Sequence, residues 1–234
     1  MSEAARSLAL CSKRLHRLGY APGTAGNISL RLSAKHILVT PTGCSKGALR
    51  ADDMVEVDMR GTTVRGSREA TSEIAMHLIV YRMRPDVQAV VHAHPPVCTA
   101  FASCGVALDQ PLCSEIAVTL GSVPLATYAT TGTEAVAESL LPHLMDHDAI
   151  LLANHGAVTY GSNLDDALWK METVEHFAHI TLAARQIGTP QFLSPAQLAE
   201  LAEAKQRYIQ RSATKSNRDV LEDTAAVPVF HRGS

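Results

Sequence analysis

The sequence predicts a single α/β domain, and three observations carry that prediction. The chain has 234 residues, a length that one hydrophobic core can organise. Apolar residues make up 46% of the chain and charged residues only 19%, so there is ample material for a core. Short alternating segments typical of strands are mixed with segments of helical periodicity along the chain. This mixture favours an α/β fold, although the pattern alone leaves the sheet topology open.

The first third of the chain is predicted to be one helix followed by strands. Apolar side chains recur every three or four residues over residues 3–18, and Gly19 is suited to end a helix there. Segments that alternate apolar and polar residues predict strands over residues 28–32, 36–40 and 54–58. A second helix is expected over residues 73–83, because its apolar residues share one face and Pro85 follows it.

The remaining two thirds continue to alternate between strands and helices. The apolar run 87–92 predicts a buried strand, which two prolines end before a short helix. The other expected elements are a helix over 97–103, strand or turn over 116–120 and 123–128, a helix over 133–141, a strand over 149–153, and helices over 164–187 and 194–211. Residues 212–234 are polar and lack periodicity, so we interpret them as a tail outside a domain of residues 1–211.

Charge and cysteine usage exclude several classes of protein. The formal net charge is −2, so no positive field would draw the chain to nucleic acid or to an anionic membrane. The five cysteines form no CxxC pair, and the first residues lack the apolar run of a signal peptide. No apolar stretch approaches the ~20 residues that span a bilayer. We therefore expect a cytoplasmic protein without nucleic-acid or membrane partners.

Three of the eleven histidines are candidate metal ligands. His92 and His94 alternate at the end of a predicted strand, so their imidazoles project from the same face. Such a pair also occurs as ordinary surface or hydrogen-bonded histidines. His155 follows another predicted strand and precedes Gly156, although a histidine in a turn can equally be satisfied by backbone groups. Three imidazoles with an open fourth position are the usual catalytic zinc arrangement.

Acidic residues near these histidines allow more than one interpretation. Glu73, at the start of a predicted helix, is a candidate fourth ligand or general base, or simply a first-turn glutamate that the helix dipole favours. A competing cluster on the long helix is interpreted as a solvated helix face, because no second Glu-x-x-His motif exists to complete a two-helix metal site. Its members are Glu172, Glu175, His176 and His179. Packing or surface roles are expected for His77, His143 and His147.

Small residues and hydroxyls cluster at three further places. They are Gly23–Asn27, Thr40–Gly43 and Thr71–Ser72, and the GxxxxGK[ST] order of a nucleotide P-loop is absent. Backbone amides in turns and at a helix N-terminus can hold a phosphate group. Three ordinary turns with a helix cap are the alternative interpretation.

Taken together, these motifs resemble the class II aldolase/adducin family, with the fuculose-phosphate aldolases most similar. The motifs are Gly23-Thr-Ala-Gly-Asn27, Thr40-Pro-Thr-Gly43, Thr71-Ser-Glu73, His92-Ala-His94 and Asn154-His-Gly156. Each is weak alone, but five in the same order with similar spacing are specific. The resemblance covers about residues 5–210 and implies a largely antiparallel central sheet flanked by helices. It also implies a homotetramer with active sites between subunits.

The resemblance assigns roles to individual residues. It implies zinc held by His92, His94 and His155, with Glu73 as acid/base and displaceable fourth ligand. It implies a phosphate pocket formed by Gly26, Asn27, Thr42, Gly43, Thr71 and Ser72. The implied reaction is retro-aldol cleavage of a short ketose 1-phosphate to dihydroxyacetone phosphate and an aldehyde, with zinc stabilising the enediolate.

Departures from the aldolase pattern leave the exact reaction open. The segment that carries a catalytic tyrosine in the aldolases has none here, and Glu115 stands roughly in its place, as a glutamate does in related dehydratases. Tyr208 matches a C-terminal tyrosine that reaches a neighbouring site. Decarboxylation, dehydration or epimerisation of a related sugar phosphate or sugar acid are alternatives within the family. A non-catalytic adducin-like scaffold is less favoured because the three histidines are kept, and a Schiff base on Lys46 would contradict metal chemistry.

Overall fold

The computed structural model describes residues 2–207, and its main compact unit is Met1–Phe192. The predicted α/β fold with a largely antiparallel central sheet is confirmed. Eight strands in the described chain form one sheet in the order β4-β3-β2-β1-β5-β8-β7-β6. Neighbouring strands are antiparallel except β6 and β7, which are parallel. The strands are β1 Asn27–Arg31, β2 His36–Val39, β3 Val55–Asp58, β4 Thr63–Arg65, β5 Ala89–Ala93, β6 Leu125–Ala126, β7 Ala149–Leu152 and β8 Gly156–Gly161.

Helices cover both faces of the sheet, and each face has its own hydrophobic core. They are α1 Glu3–Arg17, α2 Ile74–Met83, α3 Pro96–Ser103, α4 Ser114–Thr119, α5 Glu134–Leu140 and α6 Leu164–Ile187. Helices α1, α3 and α6 pack on one face, around buried residues such as Leu15 and Phe177. Helices α2 and α5 pack on the other face, around Leu78 and Leu140. Alternation along β5 sends Val91 toward the first core and Val90 toward the second.

Most predicted elements are present, one predicted element differs, and the two strands β4 and β8 were not predicted. The sequence predicts a strand or turn over residues 116–120, but Ser114–Thr119 is a short α-helix. That prediction is wrong because the backbone amides of Ala117 and Leu120 donate to the carbonyls of Cys113 and Ile116, and Gly121 takes a φ of 73° that ends the helix. Strand β8 was not predicted, since all six of its residues are buried and show no alternation.

Residues 193–207 belong to a second unit of the described chain and are helical over residues 195–207. The first turn of this helix is closed by the backbone amide of Leu198, which donates to the Ser194 carbonyl. The predicted boundary after residue 211 and the predicted tail 212–234 lie outside the described residues and stay predictions. Within residues 2–207, no helix combines the length and hydrophobicity of a membrane-spanning segment.

Candidate active site

The structure brings His92, His94 and His155 together at one end of the sheet. A nitrogen of each ring lies within 4.8 Å of the others, and the ring centroids are 4.5–4.9 Å apart. His92 is fully buried at the end of β5, and its Nδ1 lies 2.9 Å from the Ala157 carbonyl oxygen of β8. That backbone oxygen fixes the ring so that Nε2 faces the other two histidines.

The turn between β7 and β8 delivers His155, and its sequence explains the Asn-His-Gly motif. Asn154 has a φ of 57°, a left-handed conformation that asparagine tolerates better than most residues. The following Gly156 packs so tightly against the Ala93 carbonyl and the His94 ring that a Cβ atom would collide with both. The motif therefore places His155 opposite His94 through backbone requirements on either side of it.

Glu73 completes this cluster from the start of α2. Its Oε2 lies 3.2 Å from His92 Nε2, and its Oε1 lies 3.4 Å from His155 Nε2. Asn27 Nδ2 donates to Glu73 Oε2 at 2.7 Å. Glu73 Oε1 is buried and accepts no hydrogen bond from any described residue. A buried carboxylate oxygen without a donor, facing imidazole nitrogens, fits a site for a positively charged ion.

The electrostatics of the cluster suit metal ligation. Burial lowers the pKa of His94 to about 3 and that of His155 to about 4, and His92 acts in the same direction. Neutral imidazoles keep a lone pair free for an ion. Burial raises the pKa of Glu73, but its interactions with His92, His155 and Asn27 outweigh that effect and hold the pKa well below its ordinary value. Glu73 is therefore anionic at neutral pH.

A cavity of about 550 Å³ opens beside the cluster and is lined by Glu73, His94 and His155. All six residues predicted to hold phosphate line the same cavity, namely Gly26, Asn27, Thr42, Gly43, Thr71 and Ser72. Thr131 and Gly132 form part of its wall, and both are exposed. The structure thus joins the histidine cluster and the small-residue loops in one cavity.

Gly26 shows why one of these loops needs glycine. Its φ is 71°, and an added Cβ would lie 2.9 Å from the His92 carbonyl oxygen. The loop can therefore approach the strand of the metal-ligand candidates only without a side chain.

Lys46 lines the same cavity, although the sequence suggested it only as the residue of an alternative Schiff-base mechanism. It is 1% exposed, and its Nζ donates to the carbonyl oxygens of Thr24 and Cys44 at 3.0 and 2.8 Å. Burial lowers the pKa of Lys46, while Cys44 and Glu73 oppose that shift. Its ammonium group ties two of the small-residue loops together. The sequence contained a signal for this role, because Lys46 lies close to the Thr40–Gly43 loop in the chain.

Glu175 corrects the interpretation of the long-helix cluster as a solvated face. It is 3% exposed, and its carboxylate accepts hydrogen bonds from the backbone amides of Val97 and Cys98 at 3.0 and 2.8 Å. These amides belong to the first turn of α3, where unpaired donors need an acceptor. The other cluster members are at least partly exposed. Glu175 therefore caps α3, which begins at the second of the two prolines after His94.

Of the other residues singled out in the sequence, only His77 lies near the cluster among those that the structure describes. Glu115 is exposed in the first turn of α4, and its carboxylate makes no hydrogen bond or ion pair with another described residue. Tyr208 lies outside the described residues. Of the histidines expected to be bystanders, His147 bonds to Ser122, whereas His77 is fully buried close to Glu73.

Comparison with known proteins assigns this chain and its fold to a family. The family model described as the class II aldolase and adducin N-terminal domain matches residues 6–182. The chain belongs to this family. Among curated members, it is 33% identical over 201 residues to a 5-deoxy-D-ribulose 1-phosphate aldolase of Bacillus thuringiensis serovar kurstaki, covering 85% of this chain and 93% of the relative.

Other family members differ in the reaction that their names give. The chain is 36% identical over 190 residues to a 3-oxo-tetronate 4-phosphate decarboxylase of Escherichia coli strain K12, covering 78% of this chain and 87% of the relative. A solved structure named L-fuculose 1-phosphate aldolase superposes with a TM-score of 0.82 at 32% identity, covering 87% of this chain and 96% of the other. Class II family relatives of this chain are thus enzymes of sugar-phosphate chemistry, both aldolases and decarboxylases.

Proposed function

We propose that the protein is a metal-dependent lyase that breaks a carbon–carbon bond in a short sugar phosphate. The observation that carries this proposal is the shared cavity, in which the histidine cluster with Glu73 meets three loops rich in amides and hydroxyls. One half of the cavity suits a cation and the other suits an anion. A sugar phosphate needs both halves, because its phosphate requires an anion site and the oxygen atoms at its other end can bind a metal ion.

His92, His94 and His155 would hold the metal, with Glu73 as a displaceable fourth ligand. The donor set of neutral imidazoles favours zinc. The unpaired Oε1 of Glu73 supports this assignment, because a buried anionic oxygen needs a positive partner. A divalent metal in this site supplies a Lewis acid that stabilises the negative charge developing on the substrate when its carbon–carbon bond breaks.

Glu73 would carry the proton at the reacting carbon. In retro-aldol cleavage of a ketose 1-phosphate, the C3–C4 bond breaks, the C4 hydroxyl loses its proton and the bonding electrons remain at C3. Glu73, which is anionic in the free site, would take up a proton from solvent and pass it to C3, and its carboxyl group lines the cavity. The proton lost by the C4 hydroxyl would go to a second acid/base. Asn27 holds one oxygen of this carboxylate, which leaves the other free to face the substrate.

The phosphate group would bind in the loops. Amides and hydroxyls of Gly26, Asn27, Thr42, Gly43, Thr71 and Ser72 line that part of the cavity. Lys46 adds a positive charge and holds the loop of Thr24 against the loop of Cys44. Such a pocket binds an anion without giving the whole chain a basic surface.

Decarboxylation of a 3-oxo acid phosphate is the second candidate reaction. A relative at 36% identity bears such a name. The chemistry of the cavity favours it in one respect, because release of CO₂ needs no base for a C4 hydroxyl. Retro-aldol cleavage needs a second acid/base, and we propose Glu115 and Tyr208 of neighbouring subunits in a homotetramer as the candidates. A cytoplasmic location is part of the same proposal.

A substrate panel separates these reactions. Zinc-loaded protein is incubated with ketose 1-phosphates and 3-oxo acid 4-phosphates, and aldehyde, CO₂ and dehydration products are measured separately. We expect cleavage of at least one class, loss of turnover with a chelator and recovery with zinc. Activity that survives complete metal removal, or a borohydride-trapped adduct on Lys46, would contradict the metal mechanism.

Variants connect that activity to the named residues. His94→Gln should lose bound metal and turnover, whereas His179→Gln, at a histidine whose side chain is 61% exposed, should keep both. Glu115→Gln tests the second acid/base. A rate equal to that of the unmodified protein in Glu115→Gln would remove Glu115 from the mechanism.

A further inference from the structure

A chain of buried hydrogen bonds runs from the interior of the protein to Glu73. The Tyr81 hydroxyl lies 2.8 Å from Ser29 Oγ, which lies 2.7 Å from His77 Nδ1. His77 Nε2 lies 2.6 Å from Asn27 Oδ1, and Asn27 Nδ2 donates to Glu73 Oε2. Asn27 and Ser29 alternate on β1, which places both side chains against α2.

The direction of every bond in this chain can be worked out from the Glu73 end. The carboxylate only accepts, so the amide nitrogen of Asn27 faces it and the amide oxygen faces His77. His77 Nε2 must therefore carry a hydrogen. Burial lowers the pKa of His77 to about 3, so the ring is neutral and Nδ1 is an acceptor for the Ser29 hydroxyl. Ser29 has then spent its hydrogen and accepts from Tyr81.

A packing role alone does not account for His77. The ring is 0% exposed, and an apolar side chain of similar size would fill the space without the cost of burying two nitrogens. Both nitrogens are nevertheless used, and one of them contacts the residue that holds Glu73. Asn27 also lines the proposed substrate cavity. Its amide therefore contacts the Glu73 carboxylate and borders the cavity at the same time.

We propose that His77 is a positioning residue that locks the Asn27 amide with its nitrogen toward Glu73. Without the Nε2 hydrogen of His77, the Asn27 amide oxygen loses its donor, and the contact with Glu73 alone holds the amide in place. A less firmly held amide would let the Glu73 carboxylate shift away from the reacting carbon. This inference rests on the proposed role of Glu73, but the amide orientation itself is independent of the reaction.

Kinetics of paired variants tests the proposal. His77→Leu removes the donor and should lower kcat about 10- to 100-fold with a smaller effect on KM. His77→Gln keeps an N–H donor near the position of Nε2 and should stay within about threefold of the unmodified protein. His77→Asn can contact Ser29 but is too short to reach Asn27, so it should behave like His77→Leu. Equal rates in the Gln and Asn variants would overturn the proposal.

A double-mutant cycle separates action through Asn27 from a general loss of structure. If His77 acts through Asn27, the kcat of His77→Leu combined with Asn27→Ala should be no lower than that of the worse single variant. Multiplied effects would refute the inference. Thr181→Val is the matched control, since it removes another buried hydroxyl, which donates to the Phe177 carbonyl in α6. It should lower stability and leave kcat unchanged.

Nuclear magnetic resonance of the metal-free protein gives a readout that needs no substrate. The side-chain amide signal of Asn27, assigned by its loss in Asn27→Ala, should move in His77→Leu and His77→Asn and stay in place in His77→Gln. An unmoved signal in the Leu and Asn variants would refute the positioning role. A moved signal in a protein inactive on every sugar phosphate would support the positioning role while the proposed reaction fails.

Discussion

The capping of α3 by Glu175 leads to a prediction whose size follows from the structure. The carboxylate is buried and accepts from two backbone amides, those of Val97 and Cys98. Glu175→Gln keeps one oxygen acceptor and turns an NH₂ group toward the other amide. Glu175→Ala removes both acceptors.

The expected losses can be counted by hydrogen bonds. A hydrogen bond to a charged group contributes about 1.5–3 kcal/mol, so Glu175→Gln should lower the free energy of unfolding by about that amount. Glu175→Ala loses two such bonds and should lower it by about 3–6 kcal/mol. The control is Glu172→Gln on the same helix, where the carboxylate pairs with Arg14 at 2.7 Å but both side chains are about one third exposed. Its cost should not exceed about 1 kcal/mol.

Urea unfolding of the metal-free proteins, followed by circular dichroism, measures these differences. The midpoint should fall in the order Glu172→Gln, Glu175→Gln, Glu175→Ala, with unchanged slopes. If Glu175→Gln is no less stable than Glu172→Gln, the reasoning that a buried carboxylate caps α3 is refuted.

Three further predictions concern the loops and the buried histidine. Gly26→Ala and Gly23→Ala both place alanine at positive φ, and each should lower the free energy of unfolding by about 1–2 kcal/mol. Only the alanine at position 26 would collide with the His92 carbonyl, so Gly26→Ala should cost about 1–3 kcal/mol more. Equal urea midpoints for these two would contradict the close approach. Lys46→Met should raise KM for a sugar phosphate about tenfold or more with a smaller change in kcat, because the tie between two loops and a positive charge are lost. Steady-state kinetics at fixed ionic strength checks this, and an unchanged KM would count against it. The pKa of His77 falls from 6.5 to about 3 on folding, so the unfolded chain binds the extra proton between these pH values. Stability should therefore decrease as pH falls through this window, by up to about 1.4 kcal/mol per pH unit, and His77→Gln should flatten that slope in a pH series of urea titrations.

Long or strongly patterned elements were predictable from the sequence. Helix α6 was expected over 164–187 and is Leu164–Ile187, because these 24 residues contain no glycine or proline and Gly188 follows them. Strand β8 was missed because both of its faces are buried, so its sequence does not alternate between apolar and polar residues. The single turn of α4 was missed because Ile116, Val118 and Leu120 alternate as in a strand, and only local hydrogen bonds decide between the two.

The candidate site shows a similar division. Motifs at strand and helix ends made the three histidines and Glu73 candidates, the family resemblance implied their grouping, and the structure places them together. The burial of Glu175 could not be read from its helix, since its partners are backbone amides distant in sequence. His77 carried a usable signal, because it lies four residues after Glu73 and so one turn away on the same helix face.

The contrast between the two sides of the cavity bears on how its chemistry can be changed. His92 is anchored in a central strand within a fully buried environment, whereas Thr131 and Gly132 lie exposed on the opposite wall. Thr131 is exposed, so its substitution leaves the buried histidines in place, whereas Gly132, at a φ of 75°, favours glycine. A library confined to the exposed residues Tyr128, Thr130 and Thr131 should therefore yield folded variants with altered substrate preference at a high rate. The wall beside the substrate can thus be varied separately from the wall that would hold the metal.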